Sequence, residues 1–160
     1  QEPEIIMKRR YKKSSGRQYG NCGEDHSEIT GAELFKIEQE NPYSDDYSEC
    51  IEEAKLDQQR GFRPELKAYP ENLDGYKTVY LGYPNYWGTA PVAVFSLLER
   101  CDLSGKTIKP FCTHEGGGMG KSEQDIKKLC PNSIVKKGLA IHGANVKDAK
   151  AQISAWIDEQ

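Results

Sequence analysis

YKTVYLGYPNYWGT, Tyr76–Thr89, decides how the rest of the chain is read. Thr78, Val79, Tyr80 and Leu81 are β-branched, aromatic or aliphatic and carry no charge, which is the signature of a strand. Gly82, Pro84 and Gly88 are then expected to turn the chain out of the sheet. Between those breakers stand Tyr83, Tyr86 and Trp87, three large rings on an expected loop. Such rings are costly to leave in water, so they either cover a core edge or stack on a flat ligand. The residue types leave both readings open.

Working outward, Thr89–Arg100 reads as a helix with Pro91 in its first turn and Val92, Phe95, Leu97 and Leu98 on its buried face. Beyond a turn at Ser104-Gly105, Thr107–Thr113 (TIKPFCT) reads as a second buried strand, with Pro110 an irregularity inside it. A glycine loop leads to a helix over Ser122–Leu129, and Val135–His142 holds a further strand centred on Leu139–Ile141. Gly143-Ala144-Asn145 opens a last helix whose Val146, Ala149, Ile153, Trp156 and Ile157 share one face. Upstream, Ala32–Ile37 (AELFKI) reads as a strand and Ile29-Thr30-Gly31 as a helix end. Asp45 or Ser44 is expected to cap a helix with the stripe Tyr47, Cys50, Ile51 and Ala54, ending near Gly61. The repeated strand-then-helix order specifies an α/β fold with a parallel sheet. Ligands of such sheets bind beyond the carboxyl ends of strands, where the strand order reverses. Two loops occupy such ends: Tyr83–Thr89 and Thr113–Gly120.

The length of 160 residues suits one domain, 1–160. A net charge of −3 argues against nucleic acid or an anionic membrane as partner. No apolar run approaches the ~20 residues that span a bilayer, and the first residues lack the apolar core of a secretory signal. The five cysteines include no C-x-x-C pair, so reduced thiols of a cytoplasmic protein are expected. His26, His114 and His142 are far apart in sequence, and no metal site is expected. Residues 1–28 are atypical: Lys8, Arg9, Arg10, Lys12 and Lys13 form a basic run among breakers, read as a disordered arm or a poorly formed first element.

The second loop, Thr113–Gly120, is THEGGGMG. Its glycines let the backbone approach a ligand closely, and exposed amides there can meet an anion or the polar edge of a heterocycle. Its spacing is not that of a Walker loop. His114 and Glu115 are an acid/base pair, or they hydrogen-bond the backbone and hold the loop's shape; the second is the simpler reading.

GYPNYWGTAP followed by a helix, then SGKTIKPFCTHEGGGMG, closely resembles the short-chain flavodoxin-like family, from Ile29 to the C-terminus. The resemblance implies a three-layer flavodoxin-like α/β sandwich with a five-stranded parallel sheet of order 2-1-3-4-5. It implies non-covalent FMN and electron transfer, with redox proteins or a small-molecule donor or acceptor as partners. Its alternatives are an NAD(P)H-dependent flavin or quinone reductase of the same fold, or a non-catalytic relative that has lost FMN. In this resemblance Pro84, Asn85, Tyr86, Trp87 and Gly88 form the first flavin-binding loop, and Thr113, His114, Glu115, Gly116, Gly117 and Gly118 the second. No catalytic nucleophile is implied.

The chain departs from that family at its start. Flavodoxins carry a phosphate loop of the type S/T-x-T/S-G-N-T after the first strand, and Ser14–Glu28, SSGRQYGNCGEDHSE, holds no such motif. Ile5-Ile6-Met7 is short and followed by charges, so the first strand is expected to be degraded too. Back-translated and read from the second base of each codon, Gly16–Gly20 is compatible with Ala-Gly-Asn-Thr. A displaced reading frame over this segment accounts for the missing motif, and resequencing the gene tests it.

Overall fold

Three apolar residues are enough to place the first strand at the centre of the sheet. In the computed structural model, which describes residues 4–9, 32–143 and 149–159, Glu4–Arg9 forms β1. It pairs in parallel with β2 (Glu33–Ile37) on one side and β3 (Thr78–Pro84) on the other. Ile5, Ile6 and Met7 are 4%, 0% and 0% exposed. The expected degradation of this strand is therefore corrected: strands pair along both of its edges and helices bury its short apolar run on both faces, which outweighs the flanking charges. Ser14–Glu28, Ile29-Thr30-Gly31, Ala144, Asn145 and Val146 lie outside the described residues.

The strands run in the order β2-β1-β3-β4-β5, all parallel, with β4 at Thr107–His114. The fifth position is split into β5 (Ile134–Val135) and β6 (Leu139–His142), which pair with the two ends of β4. Pro110 explains the split. Thr107 N–H and Thr113 carbonyl face β3, whereas Ile108 carbonyl faces β5 and accepts from Lys136. By alternation Pro110, which has no N–H, faces the gap between β5 and β6, so β4 loses no bond to β3.

Helices cover both faces. Ile5, Met7, Val79, Leu81, Tyr83, Ile108 and Cys112 point into one core, closed by α2 (Val92–Arg100) and by Ile126 of α3 (Ser122–Leu129). Ile6, Tyr80, Phe111 and Ile141 point into the other, closed by Ala149, Ile153 and Trp156 of α4 (Ala149–Asp158). This period-two division along every central strand is what a sheet with two buried faces requires.

β3 is longer than expected. Gly82 does not end it but lies within it, and the strand runs on to Pro84; both residues are buried. Gly82 is there because the Phe111 ring crosses it: a Cβ would fall 2.5 Å from Phe111 Cε2. Tyr83 is core rather than loop, and its hydroxyl donates to Ser122 Oγ at 2.9 Å. Helix α1 (Tyr47–Arg60) is capped one residue later than expected, by Asp46, whose carboxylate accepts from Glu49 N–H at 3.0 Å. Gly61, left-handed at φ 65°, ends it as expected.

Candidate functional site

At the carboxyl ends of β3, β4 and β6 lies a cleft of about 390 Å3. One wall is α1, through Tyr47, Cys50, Ile51 and Ala54; the others are Asn85, Tyr86 and Trp87 after β3, and Thr113, His114, Glu115 and Gly117 after β4. Gly143, just past β6, completes it. Of the residues singled out from the sequence, these seven loop residues line the cleft, whereas Pro84, Gly88, Gly116 and Gly118 shape the loops around it. The α1 wall was not foreseen. Its stripe reads as ordinary core, yet all four of its residues line the cleft.

The first loop is a tight turn. Tyr86 N–H donates to Thr89 carbonyl at 2.8 Å and Thr89 N–H returns to Tyr86 carbonyl at 3.2 Å. Both central residues have positive φ, Trp87 at 52° and Gly88 at 85°, as in a type I′ turn. That conformation costs a tryptophan on the order of 1–3 kcal/mol. Contacts to α1 offset it: Trp87 Nε1–H donates to Ile51 carbonyl at 3.3 Å, and Lys55 Nζ lies 4.9 Å from the ring centroid. Gln58 Nε2 adds bonds to the carbonyls of Tyr86 (3.3 Å) and Trp87 (3.4 Å). Trp87 stays 48% exposed and presents apolar surface beside the cleft. Of the three rings, Tyr83 plugs the core, while Tyr86 and Trp87 border the cleft.

The second loop is tied to the first. Asn85 N–H donates to Thr113 carbonyl at 2.8 Å, and Lys121 N–H to Gly88 carbonyl at 2.8 Å. Gly120, at φ 55°, lies directly against Gly88: a Cβ there would fall 2.7 Å from the Gly88 carbonyl carbon. Beneath the loops, Thr89 Oγ1 donates to Asp125 Oδ2 at 2.6 Å, and Ser122 Oγ donates to Met119 carbonyl at 2.6 Å. Cys112 stays a thiol, because burial pushes its pKa up to about 12.

His114 holds loop shape. Its Nδ1 accepts from Gly116 N–H at 2.9 Å, so the neutral imidazole carries its proton on Nε2. Partial burial first, then the neighbouring His142 ring (centroids 5.3 Å apart), lower its pKa from 6.5, while Glu115 opposes them. A lowered folded-state pKa means that the latch is intact above pH 6.5 and is lost as the pH falls through the lowered value. The Gly116 amide resonance is therefore expected to shift only on acidification below that point, following the His114 ring signals. In His114→Gln this titration is expected to disappear.

Among the described residues no helix is long and apolar enough to cross a membrane. A family model described as flavodoxin matches residues 9–160. No curated protein sequence matches the chain. A Bacteroides eggerthii protein classed as a flavoprotein shares 26% identity over 98% of this chain and 96% of its own, with a TM-score of 0.81. A Lactobacillus acidophilus flavoprotein solved with FMN shares 18% identity over 94% of this chain and 99% of its own, with a TM-score of 0.69. The apo form of an NADH:FMN oxidoreductase shares 12% identity over 98% of this chain and 87% of its own, with a TM-score of 0.59. The last two likenesses are likenesses of fold.

Proposed function

Since this chain belongs to the flavodoxin family, we propose that it is an FMN-dependent electron-transfer protein of the cytoplasm, exchanging electrons with redox proteins or a small-molecule donor. The observation that carries this reading is the pair of interlocked loops at the ends of β3 and β4, facing the apolar stripe of α1 across one cleft. The residues suit a flat ring with apolar faces and a polar edge. Tyr86, Trp87, Ile51 and Ala54 offer apolar and aromatic surface, and aromatic stacking contributes about 0.5–1.5 kcal/mol beyond area burial. The exposed residues Glu115, Gly116 and Gly117 offer backbone groups for an edge, apart from the Gly116 N–H held by His114 and the Gly117 carbonyl held by Gly120. FMN, when bound, would supply the one- and two-electron chemistry. The protein's part is to orient the ring, keep water from its faces and fix the hydrogen bonds at its edge.

A redox assay on the FMN-loaded chain tests this. A carrier is expected to pass electrons to cytochrome c after photoreduction and to show no steady NAD(P)H oxidation with a quinone. Sustained NAD(P)H–quinone turnover would replace the carrier with a reductase of the same fold. Failure of both would leave the non-catalytic alternative.

A further inference from the structure

The cleft takes its walls from two loops separated in sequence, and one side chain joins them. Asn85 Nδ2 donates to Gly118 carbonyl at 2.9 Å, and its Oδ1 accepts from Gly88 N–H at 2.9 Å. A Cβ on Gly117 would approach Asn85 Nδ2 to 3.2 Å, so this loop passes close over the amide. We propose that Asn85 is the positioning residue of the site, making the Tyr86–Thr89 turn and the Thr113–Gly120 loop one rigid clamp rather than two independent binding loops. Independent support is the direct backbone approach of Gly120 to Gly88, which requires the loops to stay in register. The inference rests on the flavin reading for its ligand but not for its geometry.

The amide has a donor end and an acceptor end, and these can be separated. Asn85→Asp keeps an acceptor for Gly88 N–H and removes the donor to Gly118, turning a carboxylate oxygen toward a carbonyl. Asn85→Ala removes both. The ligand probe is lumiflavin, the bare ring without ribityl or phosphate, so nothing upstream of β2 need contribute. In the full-length chain both variants are expected to quench lumiflavin fluorescence with about tenfold or weaker affinity than the wild type. The absorption spectrum of the bound ring is expected to move toward that of free flavin. Wild-type affinity in Asn85→Asp would overturn the proposal, because Asn85 would then shape only its own turn.

Amide exchange without flavin supplies the second arm. The Lys121 N–H, bonded to Gly88 carbonyl, is expected to exchange several-fold faster in both variants; unchanged protection would overturn the clamp. If the wild-type chain binds no lumiflavin, the cofactor reading fails and the exchange arm alone decides the clamp.

Discussion

Gly120→Ala is expected to weaken flavin binding about a hundredfold or more and to destabilise the chain. A methyl at this position meets the backbone carbonyl of Gly88, not the end of a flexible side chain. It also holds an L-residue at φ 55°, a conformation that costs about 1–2 kcal/mol. Relief requires the loops to part by about an ångström, which breaks the 2.8 Å bond from Lys121 N–H to Gly88 carbonyl. It also strains the Asn85 bond to Gly118. Gly118→Ala is the control for stability: its φ is 61°, yet a Cβ there meets nothing within 4 Å. Its melting temperature is expected to fall by the backbone term alone. Equal losses in the two variants would mean that conformational strain, not loop contact, dominates at Gly120.

The second large effect lies on the other side of the sheet. Trp156→Ala is expected to cost ~3–5 kcal/mol of unfolding free energy, read from urea midpoints at constant slope. The core beneath α4 is small, and Trp156 meets Tyr80 and Phe111 edge-to-face with centroids 6.0 and 6.3 Å away. Its Nε1–H also donates to Lys137 carbonyl at 3.2 Å. Phe111 in turn rests on Gly82, so the large rings pack only because one central-strand residue has no side chain. Trp156→Phe keeps much of the packing and loses the indole bond, so its cost is expected to be about 1–2 kcal/mol. Under conditions where Trp156→Ala remains folded, flavin affinity is expected to stay within about twofold of wild type. Trp156 touches neither loop, and separate sites add nearly independently.

The fold was largely legible where local chemistry agreed with tertiary packing. Ser122–Leu129 has the boundaries that its pattern specifies, and the apolar faces of α2 and α4 are buried as their spacing requires. Errors arose where a residue type has two uses. Gly82 reads as a breaker because glycine usually is one, whereas Pro84 does end the strand. In β3 the glycine makes room for Phe111, and the proline sits at the last paired position, opposite Thr113. The strand centred on Leu139–Ile141 is present as β6, whereas the short β5 before it is not legible, and Pro110 of β4 offers no donor between the two. The short β1 reads as degraded because local hydrophobicity does not report the edge pairing and face burial supplied by strands and helices remote in sequence.

At the candidate site, both loops were visible as aromatic and glycine-rich punctuation after strands. Their interlocking was not. The bond from Asn85 to Gly118 spans 33 positions, and no local pattern encodes it. The α1 wall was hidden for a similar reason, since an apolar helical stripe does not say whether it faces a core or a cleft. The preference for His114 as a holder of loop shape agrees with its bond to Gly116.

The proposed flavin site consists of the two loops with α1 opposite, in a chain that lacks the phosphate-loop motif. Titration of FMN with the purified full-length chain, followed by flavin fluorescence and the visible spectrum, tests it most directly. Saturable quenching with a perturbed spectrum is expected, as for a ring removed from water by the protein. Unquenched fluorescence and a free-flavin spectrum up to high micromolar concentrations would contradict it, leaving a flavodoxin fold without its cofactor.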